Sequence, residues 1–572
     1  MPQHLRYIRY YTSVASFYVE NFGCRATQSD GAALDRQFAA RGLDRAESPN
    51  DAQIVVLNTC TVTAAADQDA RAAIRRIHRD NPGCRIVITG CYAQRAPEEI
   101  AVLPGVAAVI GNSHKHQLAD LALEPSAANQ DLVSGEAFSP ADKVRVERAT
   151  SEAEDAVAAS TAGKADNIPA LTGCFSHKLS VPGLADDRSA GFVPLQSLAQ
   201  GSTINDGILW TDHPRPTTIH VSDIFAHTEL LAAPVFDASN ERTRPNLKVQ
   251  DGCDNRCSFC VIPYVRGHSR SLRLTSVITE VQRLVEAGYR EIVISGINLG
   301  RWGRDLTLVS RRLSVLDDGL VRNKSRVSDR PVPRAESLED LIQAILDQTN
   351  VEKLRISSVE PMDWTDELIR LIAGSPRIAK HAHVPMQSGS DRVLRAMHRK
   401  YRPWHYREKI AKIRAAMPTA AIGADVMVGF PGETDADFEV TRRFIEELPF
   451  TYLHVFTYSA RPGTPAASLP NQIPVRLARE RNRILRELAS EKKLAFMKSF
   501  AGKTIQAITL NVFSGEYTEA LTDNYLKLRI RGKLPANHWI EAIVHEVVGG
   551  ALVGNCAGPL AQAQLASCDR CF

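Results

Sequence analysis

The sequence predicts an α/β chain with three folded parts: an N-terminal parallel sheet, an open (β/α)6 barrel and a small C-terminal β-barrel. Three observations predict this. Short Val/Ile-rich runs alternate with helical segments over 16–123, the pattern of a parallel sheet. The alternation resumes and repeats six times over 244–497. After 498 it gives way to short alternating strands. At 572 residues the chain is too long for one core.

In the first part, strands are predicted at 16–21, 54–58, 85–89 and 106–110, with helices at 27–41 and 65–80. This is a Rossmann-like arrangement. Its first three strands each run into a cysteine: Cys24, Cys60 and Cys91. Ligands of open parallel sheets bind beyond the carboxyl ends of the strands. Three segments therefore deliver three thiols to one rim, which points to a shared cluster site. Cys84 precedes its strand and reads as core packing.

The stretch 124–220 is rich in Ala, Ser, Asp and Gly, holds Cys174 and has no sustained period. It reads as a linker or disordered insertion. The barrel strands are predicted at 246–250, 291–295, 353–358, 381–385, 422–428 and 452–457. Their helices are predicted at 275–287, 338–347, 365–373, 391–397, 404–416 and 435–448. The basic stretch 306–335 interrupts this pattern as a solvated loop. A charged helix at 476–498 leads to strands at 504–511, 517–530 and 539–548, the small barrel of 498–556. Lys527, Arg529, Arg531 and Lys533 form a basic run there, either a charged edge strand or an RNA contact. The terminal pair Cys568 and Cys571 has no partner pair and reads as inert.

A hydrophobic content of 44% with 23% charged residues is that of a soluble globular protein, and no apolar run approaches a membrane span. Residues 1–13 are polar and lack the apolar core of a secretory signal, so a cytoplasmic protein without membrane partners is expected. In a reducing cytosol, eleven cysteines point to metal binding or chemistry rather than disulfides. A net charge of +4 permits nucleic-acid binding through local patches without demanding it.

The most specific motif is Asp251-Gly-Cys-Asp-Asn-Arg-Cys-Ser-Phe-Cys. Cys253, Cys257 and Cys260 fill three corners of a [4Fe–4S] cube and leave one iron open, whereas a purely structural or electron-carrying cluster takes four. An open metal position is where an outside ligand binds. The competing reading is zinc, whose fourth ligand would be His268, eight residues beyond Cys260.

The CxxxCxxC spacing, with Phe259 before the last cysteine, resembles the signature of radical S-adenosylmethionine (SAM) enzymes. Further motifs extend the resemblance over 16–123 and 222–554, apart from 306–335. They are Phe22-Gly-Cys-Arg, Asn58-Thr-Cys-Thr-Val-Thr, Thr89-Gly-Cys-Tyr-Ala-Gln, Cys260-Val-Ile-Pro-Tyr-Val-Arg-Gly, Pro385-Met-Gln-Ser-Gly-Ser and Val428-Gly-Phe-Pro-Gly-Glu. Together they resemble the radical-SAM methylthiotransferases, which join a three-cysteine domain, a radical-SAM barrel and a TRAM-like RNA-binding domain. Ser295-Gly-Ile-Asn-Leu-Gly and the motifs around Cys24 and Cys260 look most like the bacterial branch that acts on N6-threonylcarbamoyladenosine in tRNA. The sequence departs from that branch at Thr27, and its 124–220 stretch is longer than the family linker.

The resemblance implies two [4Fe–4S] clusters, one on Cys253, Cys257 and Cys260 that binds SAM, and an auxiliary one on Cys24, Cys60 and Cys91 that carries sulfur. SAM cleavage yields a 5′-deoxyadenosyl radical that takes hydrogen from C2 of adenine at position 37, and a methylthio group couples there. By position at the strand ends, Gly296, Glu360, Gln387 and Asp425 are expected to contact SAM, with Phe259 beside its adenine or shielding the cluster. Arg266 is a candidate to grip the threonylcarbamoyl carboxylate, against a phosphate contact or an ion pair. The implied partners are tRNA and a flavodoxin- or ferredoxin-like electron donor, acting on a monomer. Alternatives are the sibling enzymes for N6-isopentenyl-adenosine in tRNA or a ribosomal-protein aspartate, and, from another class, a non-catalytic zinc- and RNA-binding protein.

Overall fold

The computed structural model describes residues 15–123, 217–227, 230, 244–306 and 336–557. The expectations for Cys174, Cys568, Cys571 and nearly all of 306–335 and 124–220 lie outside them.

The N-terminal sheet has six parallel strands in the order β2-β1-β3-β4-β5-β6. They are β1 (Ser16–Asn21), β2 (Asp44–Arg45), β3 (Ile54–Thr59), β4 (Arg85–Gly90), β5 (Val106–Gly111) and β6 (Thr218–His220). The central strand β3 is buried along its whole length and alternates between two faces. Val55 and Leu57 pack with Ala70, Ile74 and Ile77 of the helix Ala64–Asp80. Ile54 and Val56 pack with Leu34 and Phe38 of the helix Arg25–Ala39. Truncating a side chain as buried as Leu57 costs about 2–5 kcal/mol. The helix Ala64–Asp80 starts where the Thr63 side chain accepts from the Ala66 amide. The last strand, β6, corrects the expected linker: the end of 124–220 pairs with β5 over Ala108–Ile110.

The barrel strands are β7 (Asn246–Asp251), β9 (Glu291–Gly296), β10 (Lys353–Ile356), β11 (His381–His383), β12 (Ala421–Val428) and β13 (Tyr452–Thr457). The short β8 (Arg270–Ser271) runs antiparallel on the outer side of β7. Hydrogen-bonded ladders join β7, β9 and β10, then β11, β12 and β13. The Leu354–Ile378 and Ser358–His383 bridges connect the two sets. All six strands are parallel and the barrel stays open between β7 and β13. Leu247, Val249, Ile292, Ile294, Leu354, Ile356, Ala382 and Val384 turn outward onto the helices. The alternate residues Lys248, Gln250, Ser295, Arg355, Ser357, His381 and His383 therefore face the lumen. Capping boxes at Ser337/Asp340 and Thr434/Asp437 start two of the surrounding helices.

The helix Val475–Lys498 leads to a closed five-strand barrel in the order β14-β15-β16-β18-β17. The strands are β14 (Thr504–Ser514), β15 (Tyr517–Thr522), β16 (Lys527–Arg531), β17 (Trp539–Val548) and β18 (Ala551–Ala557). The single strand expected over 517–530 is two strands joined by a turn, and β18 was not expected. That turn reaches the amino ends of the (β/α)6 strands. Arg355 bonds the Asp523 and Thr522 carbonyls at 3.0 and 3.3 Å, and the ring of Tyr525 (φ 70°) lies tilted 5.1 Å from that of His381. The small barrel thus plugs the floor of the large one. Closure also leaves β16 no free edge, which corrects the edge-strand reading of the basic run.

Candidate functional site: two cysteine triads on one cleft

The first triad sits at the carboxyl ends of β1, β3 and β4. Gly23 (φ +110°) precedes Cys24, and a Cβ there would lie 2.6 Å from Cys60 Cβ and 3.0 Å from its sulfur. Gly90 (φ +98°) precedes Cys91, and a Cβ there would lie 2.3 Å from the Thr59 carbonyl. Only glycine lets the chains approach this closely. Cys60 and Cys91 are buried and Cys24 is exposed. Burial, then the neighbouring Cys91, push the Cys60 thiol up to about 12. Asn112 Nδ2 lies 3.7 Å from Cys91 Sγ, and Thr27 Oγ1 lies 3.5 Å from Cys24 Sγ.

The second triad lies just past β7. Cys253 Sγ accepts from the Asn255 amide at 3.4 Å, and Asn298 Nδ2 stands 3.7 Å away. Arg399 Nη1 donates to Cys257 Sγ at 3.2 Å, while its Nη2 pairs with Glu360. Burial pushes Cys253 up to about 11 and Cys260 to about 12. The two triads share a wall. Cys91 packs directly on Val261 and Val265, in the segment that follows Cys260. Asn112 ties that wall to the sheet by donating to the Val265 carbonyl at 2.7 Å.

A buried charge cluster lies behind the wall. Lys248 pairs with Asp30 and, at 2.8 Å, with Asp251. Lys115 reaches Asp30 at 3.0 Å. Arg266 bonds both Asp251 oxygens at 2.9 and 3.0 Å and Asp30 at 3.1 Å. Burial alone would lower the Arg266 pKa. The carboxylate of Asp251, the thiol of Cys91 and the carboxylate of Asp30 hold it well above its ordinary value. This corrects the carboxylate-gripping candidate: Arg266 is buried, its Nη1 is taken by Asp251 and its Nη2 by Asp30, the ion-pair alternative. Three cations against two carboxylates leave a surplus positive charge beside Cys24 and Cys91. That surplus suits an anionic thiolate-bound cluster.

The remaining sequence candidates also collect at this mouth. Gly296 ends β9, and a Cβ there would meet Gln250 at 2.8 Å. Glu360 follows β10 and, with Cys257, Arg399 and Tyr401, lines a small recess. Gln387 has φ 64°, its amide donates to the Asp425 carbonyl at 2.8 Å, and its Oε1 is buried without a partner. Asp425 Oδ1 lies 3.4 Å from His383 Nε2. Phe259 packs against the apolar cluster of Val393, Met397, Met427 and Phe430. Ser295 Oγ, Ser357 Oγ and Asn298 Oδ1 are likewise buried without partners. A row of unsatisfied polar atoms at successive strand ends fits a polar ligand such as SAM. His268, the candidate fourth zinc ligand, instead bonds Asp254 at 2.8 Å. Among the described residues, no three His, Cys, Asp or Glu side chains are spaced for a single metal ion. A four-iron cube does not require that spacing, because each thiolate reaches a different iron. Sequence reasoning missed Arg399 and Asn112, which no quoted motif marks, and passed over Asn298, which lies within Ser295-Gly-Ile-Asn-Leu-Gly.

Two family models match the chain. One, described as "Uncharacterized protein family UPF0004", matches residues 16–111, and the radical SAM superfamily matches residues 247–445. A threonylcarbamoyladenosine tRNA methylthiotransferase MtaB of Bacillus subtilis is 30% identical, covering 91% of each chain. Its Aquifex aeolicus counterpart is 30% identical over 90% of this chain and 96% of its own. A tRNA-2-methylthio-N(6)-dimethylallyladenosine synthase of Novosphingobium aromaticivorans is also 30% identical, covering 87% of each. An iron–sulfur cluster and SAM come with the superfamily. With both cysteine-bearing segments matched and near-full-length relatives of this kind, the chain belongs to the radical-SAM methylthiotransferases.

Proposed function

We propose that the protein converts N6-threonylcarbamoyladenosine at position 37 of tRNA to its 2-methylthio derivative. The observation that carries this reading is the meeting of two cysteine triads across the wall 261–265. Relatives bearing the threonylcarbamoyladenosine name supply the branch. Cys253, Cys257 and Cys260 would hold the SAM-binding [4Fe–4S] cluster, and Cys24, Cys60 and Cys91 an auxiliary one. These groups supply the radical and the sulfur chemistry when bound. The chain's own residues position, shield and discriminate. Arg399 orients Cys257 and Glu360. Phe259, with Met397 and Met427, keeps water from that side. Gly296, Glu360, Gln387 and Asp425 surround the place for SAM.

On β16, Lys527, Arg529 and Arg531 alternate with buried Leu528 and Ile530, so the three cations point outward. They suit phosphate contacts to tRNA. No helix among the described residues is long and apolar enough to cross a membrane. A cytoplasmic enzyme fed by a flavodoxin- or ferredoxin-like donor fits this role. The test is in vitro modification of matched tRNAs carrying the threonylcarbamoyl or the isopentenyl group, read by nucleoside mass spectrometry. Preference for the isopentenyl substrate would move the protein to the sibling branch.

A further inference from the structure

The threonylcarbamoyl group carries a carboxylate, and Arg266 is not free to meet it. Among the described residues, the other lumen cations are engaged, buried Lys353 by the Pro376 carbonyl at 2.8 Å. Lys248 is held by Asp30 and Asp251, and Arg355 and Arg244 share Glu291 at 2.5 and 3.7 Å. Arg25 differs. It is half-buried, follows Cys24 directly and opens the helix Arg25–Ala39. Its Nη2 donates to the Tyr525 hydroxyl at 3.1 Å. Among the described residues, no Asp or Glu lies within ion-pair reach of it.

Arg25 also lies beside the barrel's open edge, its carbonyl accepting from Asn246 Nδ2 at the start of β7 at 3.1 Å. Its charge acts on His381, Tyr452 and His454, on β11 and β13. The side chains of β13 are half-buried or exposed along its length, and Cys24 and His454 are exposed. Burial, reinforced by neighbouring positive groups, keeps His381 and His454 below the ordinary histidine range. At neutral pH they offer hydrogen bonds rather than charge.

We propose that Arg25 is the specificity residue for the substrate's N6 substituent, its guanidinium pairing with the threonylcarbamoyl carboxylate while the Tyr525 hydroxyl fixes its orientation. This rests on the threonylcarbamoyladenosine reading. Adjacent residues are about 3.8 Å apart at Cα, so this cation stands one side chain from the proposed sulfur site. The purine C2 and its N6 substituent can then be served by neighbouring residues of one loop. A neutral isopentenyl group would gain nothing there and would strip the remaining water from a half-buried charge. The same residue both attracts the right substrate and penalises the wrong one.

The experiment compares the reconstituted full chain with Arg25→Gln and Arg25→Lys. The substrates are tRNAs carrying the threonylcarbamoyl group, its methyl ester or the isopentenyl group, and iron content checks integrity. The wild type is expected to prefer the free carboxylate. Arg25→Gln should raise KM for that substrate roughly 10- to 100-fold, as loss of a charged hydrogen bond does, while leaving KM for the ester unmoved. Arg25→Lys should fall between. Retention of the wild-type preference by Arg25→Gln would overturn the proposal. So would an equal fall in kcat on carboxylate and ester, which marks a structural role. A wild type that ignores the threonylcarbamoyl substrate would overturn the substrate reading itself, and the proposal with it.

Discussion

Arg399 binds Cys257 through one nitrogen and Glu360 through another, and is itself buried. Such outer partners hold a ligand's orientation and charge, and their loss typically costs 10- to 100-fold in metal affinity or activity. Arg399→Met is therefore expected to retain its cluster about that much less well under chelator challenge, with Arg399→Lys in between. The charge cluster behind the wall makes a second prediction. Burial would raise the Asp30 pKa, but Lys115, Lys248 and Arg266 bring it down to about 2 from 3.8. A depressed carboxylate contributes stability that is full above its unfolded pKa and is lost as pH falls toward the folded one. Asp30→Asn should therefore lower stability at neutral pH, and its deficit should shrink below about pH 4, the unfolded carboxylate range. Denaturation at several pH values reads this directly. The same cluster shows what the sequence conceals. Spacing places Arg266 correctly at the active face, but its partners Asp30 and Asp251 lie 236 and 15 residues away. No local pattern tells a substrate-gripping arginine from one already paired.

The strands that carry the site were readable because their chemistry is local. Val/Ile runs such as Ile54–Thr59 and a cysteine at the strand end need no partner to be recognised. The β15–β16 turn was missed. Its turn formers are Asp523 and Asn524, without Gly or Pro, and its positive-φ residue is Tyr525, held by Arg25, Arg355 and His381 rather than by its own preference. Likewise β6 spans three residues and exists only because β5 offers an edge. The docking of the turn has a pH signature. His381 is buried, bonds Tyr452 at 2.6 Å and is held well below its ordinary value by burial and then Arg355. Its neutral form is required in the fold, so stability is full above about pH 6.5 and declines as pH falls through and below that value. Replacing His381 by Gln should flatten the loss of stability between about pH 7.5 and 5.5, on the order of one proton's linkage. An unchanged slope would show that another group governs the window.

On the scale of the molecule, three parts converge on one lumen. The N-terminal sheet brings Cys24, Cys60 and Cys91, the (β/α)6 barrel brings the second triad, and the small barrel closes the floor. Arg461 reaches across from the barrel to pair with Asp67, and Ser459 Oγ accepts from the Ala64 amide at 3.0 Å. These contacts hold the Cys60 loop against the barrel. The proposed pair of four-iron clusters predicts on the order of eight irons per chain, about half of them lost on replacing Cys253, Cys257 and Cys260 by Ala.

The central claim is that the two triads do different work on one substrate. It is tested most directly by giving reconstituted wild-type, Cys60→Ala and Cys257→Ala proteins SAM, reductant and threonylcarbamoyladenosine-containing tRNA. Both 5′-deoxyadenosine and the modified nucleoside are then measured by mass spectrometry. The wild type should form both products. Cys60→Ala should still form 5′-deoxyadenosine but no methylthio nucleoside, and Cys257→Ala should form neither. Methylthio product from Cys60→Ala would contradict the account.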